Sequence, residues 1–146
     1  MPKASKDVGQ RLGFRSGLEE STAAQLEKAG VQVKYEERRL AYVKPATPAT
    51  YTPDFILPNG IIIETKGRFM PDDRKKHLLI KQQHPELDIR FVFTRSKTRI
   101  NKTSKTTYAA WCEKNGFLYA DTRIPQAWLD EPVCLTRCAA ITKATK

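Results

Sequence analysis

Residues 53–67 read PDFILPNGIIIETKG, and this stretch decides both the fold and the chemistry that we expect. Two apolar runs flank the turn sequence Leu57-Pro58-Asn59-Gly60. Proline suits the second position of a type I turn, and glycine readily takes the left-handed conformation that ends a three-residue hairpin loop. The stretch therefore predicts a β-hairpin whose loop consists of Pro58, Asn59 and Gly60.

Charged residues occupy matching positions of the two predicted strands. Counting outward from a three-residue loop, Asp54 lies opposite Glu64, and Lys66 lies two residues further along on the same face. A two-residue Asn-Gly loop would instead pair Asp54 with Thr65 and separate these groups. Isolated charges among apolar residues are costly unless they are paired or bind a metal. The hairpin therefore predicts a site made of two carboxylates and an amine.

Such a site suits metal-assisted hydrolysis of a phosphodiester. Two carboxylates opposed on a strand pair repel each other unless a cation lies between them. Mg²⁺ typically takes one or two carboxylates together with water and phosphate oxygens, and a lysine beside it can stabilise charge on phosphorus. The alternative is an exposed salt bridge between Glu64 and Lys66 that has no catalytic role.

The charge balance points to a polyanionic partner. The 146 residues include 26 Lys plus Arg against 16 Asp plus Glu, which gives a net charge of +10. Such an imbalance is typical of nucleic-acid-binding proteins, although it does not separate an enzyme from a passive binder. No apolar run approaches the ~20 residues of a membrane span, and no signal-peptide core begins the chain. We expect no membrane partner and a cytoplasmic location.

The rest of the chain predicts helices alternating with short strands, an α/β or α+β class. Residues 1–13 are expected to form a basic N-terminal tail, and residues 132–146 a basic, loosely ordered C-terminal tail. Residues 44–53 contain three prolines, which exclude a helix and predict an extended connector.

Two predicted helices carry polar residues of interest. In the helix predicted over residues 72–84, the polar residues Arg74, His77, Lys81 and His84 recur at helical spacing and are expected to share one solvated face. The helix that begins after Ser16 has Glu19 at the position where a capping box would use it to accept from the backbone N–H of Ser16.

The three hairpin charges resemble the PD-(D/E)xK signature of restriction-endonuclease-like nucleases. Four blocks, FRSGLEE, YTPDFILPNGIIIETKG, DDRKKHLLIKQQHPELDIRFVF and CEKNGF, are similar in order and spacing to the bacteriophage endonuclease I family, whose members resolve four-way (Holliday) DNA junctions. The resemblance runs from Phe14 to Glu131. It implies a single nuclease domain over residues 14–131, with a restriction-endonuclease-like core of mixed β-sheet flanked by helices.

The resemblance also implies the roles of the site residues. Asp54 would bridge two Mg²⁺ or Mn²⁺ ions, Glu64 and the Thr65 carbonyl would bind one of them, and Lys66 would be the catalytic lysine. Glu19 would complete the second metal site, as an alternative to the capping box. The family is a domain-swapped homodimer, so the connector over residues 44–53 would carry Glu19 of one chain into the site of the other. No small-molecule cofactor is implied.

Basic residues beside the site and in one acid-free loop are candidates for DNA phosphate contacts. They are Arg15, Arg68, Arg74, Lys75, Lys76, Arg95, Lys97, Arg99, Lys102 and Lys105. The family resemblance implies an endonuclease that makes paired nicks in branched DNA and leaves 5′-phosphates. Two alternatives remain open from the residues: a PD-(D/E)xK nuclease that cuts linear duplex, and a basic DNA-binding protein without catalysis.

Overall fold

The structure of the protein, a computed structural model, describes residues 17–43 and 48–145. In chain order its helices and strands are α1 Gly17–Lys28, β1 Lys34–Tyr35, β2 Leu40–Val43, β3 Pro48–Tyr51, β4 Phe55–Ile56, β5 Ile61–Lys66, α2 Pro71–Gln83, β6 Asp88–Phe93, α3 Tyr108–Asn115, β7 Tyr119–Asp121, α4 Gln126–Asp130 and α5 Leu135–Ala144.

The predicted hairpin forms with the predicted loop. The backbone N–H of Leu57 donates to the Ile61 carbonyl at 2.9 Å, and that of Gly60 donates to the Leu57 carbonyl at 2.9 Å. Gly60 has φ +93°, a conformation that a side chain would strain. Ile56 pairs with Ile62 across the two strands, the register that a three-residue loop requires. The prediction of this register is confirmed.

The hairpin belongs to a mixed five-stranded sheet with the order β1-β4-β5-β6-β7. Strands β1, β4 and β5 pair antiparallel, whereas β5, β6 and β7 pair parallel. A separate two-stranded ribbon pairs β2 with β3 in antiparallel fashion. Helices flank the sheet, so the expected α+β class with a mixed sheet is confirmed.

Side chains of alternate residues in the central strands pack into two apolar clusters, one on each face of the sheet. Phe91 and Phe93 of β6 pack with Trp111 of α3 on one face. Val92 of β6 packs on the other face with Leu26 of α1. A strand covered on both faces reads as an unbroken apolar run, which explains the three consecutive isoleucines of β5.

Two expectations about order and exposure were wrong. His77 does not lie on a solvated helix face; it is completely buried against the sheet. Residues 135–144 are not loosely ordered but form α5, whose Ile141 is buried. Arg137 anchors this helix, because its guanidinium donates to the Asn59 carbonyl at 3.2 Å and to Glu131 Oε1 at 3.0 Å.

The predicted connector is described only in part. Residues 44–47 lie outside the described residues, as do the predicted N-terminal tail and Arg15. Pro48–Tyr51 is extended, as expected of a proline-bearing stretch, and pairs with Leu40–Val43. Within residues 17–43 and 48–145, every helix is too short or too polar to cross a membrane.

Candidate active site

The charged hairpin residues lie at one edge of the sheet. Strands β5 and β6 are parallel, so their carboxyl ends reach the same edge. Glu64, Thr65 and Lys66 end β5, and the backbone N–H of Thr94, just after β6, donates to the Lys66 carbonyl at 3.2 Å. Asp54 reaches this edge from the opposite direction, because it immediately precedes β4, which runs antiparallel to β5.

Asp54 and Glu64 are interlocked and almost fully buried, each with 3% of its surface exposed. The backbone N–H of Asp54 donates to Glu64 Oε2 at 2.9 Å. The backbone N–H and the hydroxyl of Thr65 both donate to Asp54 Oδ2 at 2.9 Å. This burial rules out the alternative in which Glu64 takes part in an exposed salt bridge with Lys66.

The positive charge near the two buried carboxyl groups is too small to offset their burial and mutual repulsion. Burial, followed by the nearby Glu19 carboxylate, raises the pKa of Asp54. Burial, followed by the Asp54 carboxylate, raises the pKa of Glu64 to about 8. The Lys66 amine opposes both shifts but does not cancel them. A cation at this edge would relieve the repulsion.

This charge imbalance predicts that metal-free protein becomes less stable as pH rises. The folded-state pKa of Glu64 lies above that of an unfolded glutamate, so the folded chain binds more protons between the two values. Stability is therefore lost as pH climbs from about 5 to about 8, by at least about 1 kcal/mol, since one pKa unit is worth about 1.4 kcal/mol. Denaturant titrations in a chelator, at several pH values, measure this slope.

Glu64→Gln is the control for that prediction. It removes the titrating group and keeps the shape of the side chain, so we expect it to flatten the slope and to stabilise the metal-free chain at the upper pH. An unchanged slope in Glu64→Gln would contradict the assignment of the destabilisation to this carboxyl group.

Two lysines lie beside the carboxylates. Lys66 Nζ is 3.5 Å from Asp73 Oδ1, in the first turn of α2. The Lys76 ammonium lies over the Tyr51 ring, 5.6 Å from its centroid. Burial, followed by the Lys66 ammonium, lowers the pKa of Lys76. The two cations therefore crowd together on the side of the site that α2 covers.

Glu19 joins the site from α1. It is 6% exposed, and the Tyr35 hydroxyl donates to its Oε2. One carboxylate oxygen each from Glu19, Glu36 and Asp54 lie within 4.8 Å of one another. Carboxylate oxygens are the donors that Mg²⁺ and Mn²⁺ prefer, so this group fits a hard divalent cation. The capping-box alternative for Glu19 involves Ser16, which lies outside the described residues.

Sequence reasoning missed Glu36. It belongs to the charged run Glu36, Glu37, Arg38 and Arg39, which has the pattern of a solvated segment. In the structure Glu36 is not in a solvated segment. Strand β1 pairs with β4, and this pairing places Glu36, the residue after β1, beside Asp54, the residue before β4. The backbone N–H of Glu36 donates to the Asp54 carbonyl at 3.3 Å, and Glu36 has φ +49°. This pairing of β1 with β4 is long-range, and no local pattern signals it.

Arg15 is outside the described residues, and the other basic candidates lie in the segments that follow β5 and β6. Arg68 and Lys75 are exposed, and Arg74 Nη1 donates to the Phe69 carbonyl at 2.5 Å. The loop that follows β6 carries five exposed basic residues, namely Arg95, Lys97, Arg99, Lys102 and Lys105. Ser96 anchors the start of this loop, because its hydroxyl donates to Asp121 Oδ2 at 2.8 Å.

The protein therefore has an α+β fold built on a mixed sheet. Buried carboxylates and a lysine lie at the edge where its parallel strands end, and they form a candidate metal centre. The chain belongs to the phage endonuclease I family, whose model matches residues 1–146. It is 57% identical to Endonuclease I of Escherichia phage T7 over 128 residues, which cover 88% of this chain and 86% of that protein. It is 56% identical to Endodeoxyribonuclease 1 of Enterobacteria phage T3 over 123 residues, 84% of this chain and 81% of that one.

Proposed function

We propose that this chain is a structure-selective DNA endonuclease that resolves four-way (Holliday) junctions and other branched DNA by metal-dependent hydrolysis. It makes paired nicks that leave 5′-phosphates, in the cytoplasm of the host cell. One observation carries the proposal: Asp54 is joined to Glu64 by a backbone hydrogen bond, and its carboxylate lies with those of Glu19 and Glu36 within 4.8 Å of one another. The Lys66 charge acts on both Asp54 and Glu64. Membership of a family of phage endonucleases supports it, and the T3 relative is named an endodeoxyribonuclease.

The donor set suits two divalent cations, Mg²⁺ or Mn²⁺. Asp54 would be shared by both, with Glu64 and the Thr65 carbonyl at one ion and Glu19 at the other. Glu36 offers a further oxygen beside Glu19 and Asp54. Such ions, when bound, neutralise the phosphate and lower the pKa of a bound water, which supplies the nucleophile at neutral pH.

Neighbouring residues of the chain orient the two carboxylates and place a positive charge beside them. Thr65 holds Asp54 through two hydrogen bonds, so the carboxylate does not need to reorganise when substrate arrives. The Tyr51 hydroxyl donates to Glu64 Oε2 at 2.7 Å and holds that carboxylate in the same way. Lys66 places an ammonium next to both groups, where it can stabilise the negative charge that builds on the phosphate oxygens.

Selectivity for branched DNA would come from shape. A homodimer presents two sites at a fixed separation, which suits two strands that diverge at a branch. The basic residues around the site edge supply contacts to the phosphate backbone, and such contacts position the DNA without reading its sequence. Binding is therefore expected to weaken steeply as salt is added.

The loop after β6 provides a test of these phosphate contacts. Its tip is ordered, because Asn101 Oδ1 accepts from the backbone N–H of Ser104 at 2.7 Å and Ile100 N–H donates to the Thr106 carbonyl at 2.8 Å. The tip presents Lys102 and Lys105 to solvent. We expect the double substitution Lys102→Ala/Lys105→Ala to weaken junction binding and to lower the slope of log K against log salt by about 2.

Lys143→Ala is the matched control for the loop variant. Lys143 is exposed on α5, whose Arg137 contacts the hairpin loop. Its removal deletes one positive charge where the loop variant deletes two, so a generic charge effect would change the salt slope half as much. A slope change per deleted charge that is as large in Lys143→Ala as in the loop variant would remove the proposed role of the loop.

The proposed function is tested by comparing a four-way junction with a linear duplex of the same sequence. With Mg²⁺, wild-type protein is expected to make paired nicks in the junction and to leave the duplex intact; with a chelator it should cut neither. Equal cutting of both substrates would defeat the claim of junction selectivity. Protein that binds DNA but leaves it uncut with both Mg²⁺ and Mn²⁺ would defeat the claim of catalysis.

A further inference from the structure

His77 is a buried polar side chain without an assigned role. It lies in α2 with none of its surface exposed, and its ring packs edge-on against Tyr51 and Phe91, with centroid distances of 5.2 and 4.9 Å. Among residues 17–43 and 48–145, neither ring nitrogen has a hydrogen-bond partner. A phenylalanine would fill this space without leaving two polar atoms buried.

Such an arrangement needs an explanation, because most buried polar atoms in folded proteins are hydrogen-bonded and leaving them unpaired costs free energy. The position of the ring relative to the candidate active site offers one. His77 Nε2 lies 3.8 Å from Oε1 of Glu64. The distance exceeds hydrogen-bond length, but a displacement of about 1 Å, comparable with ordinary thermal motion, would close it.

The Glu64 carboxylate is held on one side only. Its Oε2 accepts from the Tyr51 hydroxyl at 2.7 Å and from the Asp54 backbone N–H at 2.9 Å. Its Oε1 accepts no hydrogen bond from the described part of the chain and faces the His77 ring. A donor on Oε1 would hold the second oxygen and leave a lone pair of the same atom for a ligand.

We propose that His77 is a positioning residue: its Nε2–H donates a hydrogen bond to Glu64 Oε1 and holds that carboxylate in the orientation that binds the catalytic metal. The inference rests on the proposed function in one respect, that Glu64 is a metal ligand. Hydrogen-bond partners behind metal-ligating side chains typically change metal affinity or activity by about 10–100-fold when they are removed.

The test measures Mn²⁺ binding by calorimetry, without DNA, for His77→Phe and His77→Gln. The first variant keeps an aromatic ring and loses the donor, whereas the second keeps an N–H donor. We expect His77→Phe to raise the Kd for Mn²⁺ by about 10–100-fold and His77→Gln to raise it much less. Wild-type affinity in His77→Phe, or an equal loss in both variants, would overturn the proposal.

Phe117→Leu is the control for loss of packing. Phe117 is buried in the same aromatic cluster, with its ring centroid 5.2 Å from that of Phe91 and 6.5 Å from that of His77. We expect it to lower the thermal stability of the protein and to leave Mn²⁺ affinity unchanged. A loss of affinity in Phe117→Leu as large as in His77→Phe would mean that packing alone explains the effect, which would overturn the proposal.

A measurement on the wild-type protein covers the case in which His77→Phe fails to fold. The chain has two histidines, so ¹⁵N chemical shifts of the ring nitrogens can be assigned with a His84→Gln variant. In the Mg²⁺-bound protein we expect a neutral His77 ring that carries its proton on Nε2. A proton on Nδ1 instead would overturn the proposal.

These readouts are independent of cleavage. Wild-type protein that binds Mn²⁺ but cuts no junction would defeat the proposed function and leave the comparison of the His77 variants valid. Normal junction cutting by wild-type protein, with equal Mn²⁺ affinity in wild type and His77→Phe, would support the function and defeat the role of His77.

Discussion

Lys66→Ala and Glu64→Gln proteins are expected to bind a four-way junction as wild type does and to cut it at least about a thousandfold more slowly. Lys66 supplies a positive charge that acts on both carboxyl groups, and Glu64 supplies a buried carboxyl oxygen. The amide in Glu64→Gln keeps the side-chain shape and still accepts from Tyr51. Folding is therefore expected to survive while the reaction does not.

Single-turnover cleavage and gel-shift binding, measured on the same preparations, separate the two effects. Glu86→Gln and Lys143→Ala are matched controls, because both remove an exposed charge to which no role in the site is assigned. Glu86 lies just before β6, at its amino end, away from the site edge. Cleavage by Lys66→Ala or Glu64→Gln within about tenfold of wild type would show that the assigned role is wrong. Loss of junction binding alongside cleavage would indicate a defect in the fold or in DNA contacts.

Mixing two inactive chains is expected to restore activity. If Glu19 of one chain completes the site of its partner, a dimer of one Glu19→Ala chain and one Asp54→Ala chain contains one doubly defective site and one intact site. Each mixed dimer should then nick a single strand of the junction.

The experiment requires co-expressed chains with two different tags, so that mixed dimers can be purified. Expected activity is about half the nicking rate of wild type, with no paired cutting, since one of two sites works. Both parent homodimers must be inactive under the same conditions. A mixture as inactive as its parents would show that each site is built within one chain. The carboxylate oxygens of Glu19 and Asp54 lie within 4.8 Å of each other in the described chain, which is also consistent with that outcome.

The local sequence was enough to predict the register of the hairpin. Turn chemistry at Pro58, Asn59 and Gly60 is local, and the side-chain period of a strand is two, so the position of Asp54 opposite Glu64 follows from the loop length. The structure confirms this register and buries both carboxyl groups. Charged residues inside an apolar hairpin were a sufficient signal, because no stable fold leaves them there without compensation.

The surroundings of those charges depend on contacts between segments that are far apart in the sequence. Glu36 reaches Asp54 because β1 pairs with β4 across about twenty residues of chain, and periodicity within β1 carries no information about its pairing partner. His77 is buried because the sheet covers its face of α2, whereas the adjacent Leu78 remains exposed. The helical pattern alone does not distinguish these two faces when each carries polar and apolar residues.

The order of the C-terminal segment also depends on long-range contacts. Its basic composition favours a loose tail, yet Arg137 bridges the hairpin loop and Glu131 and holds α5 in place. Local patterns therefore determined what lies within a few residues along the chain: the loop, the strand register and the opposed carboxyl groups. Contacts between segments far apart in sequence decided what surrounds them, because burial and ion pairing depend on distances that exist only after the chain has folded.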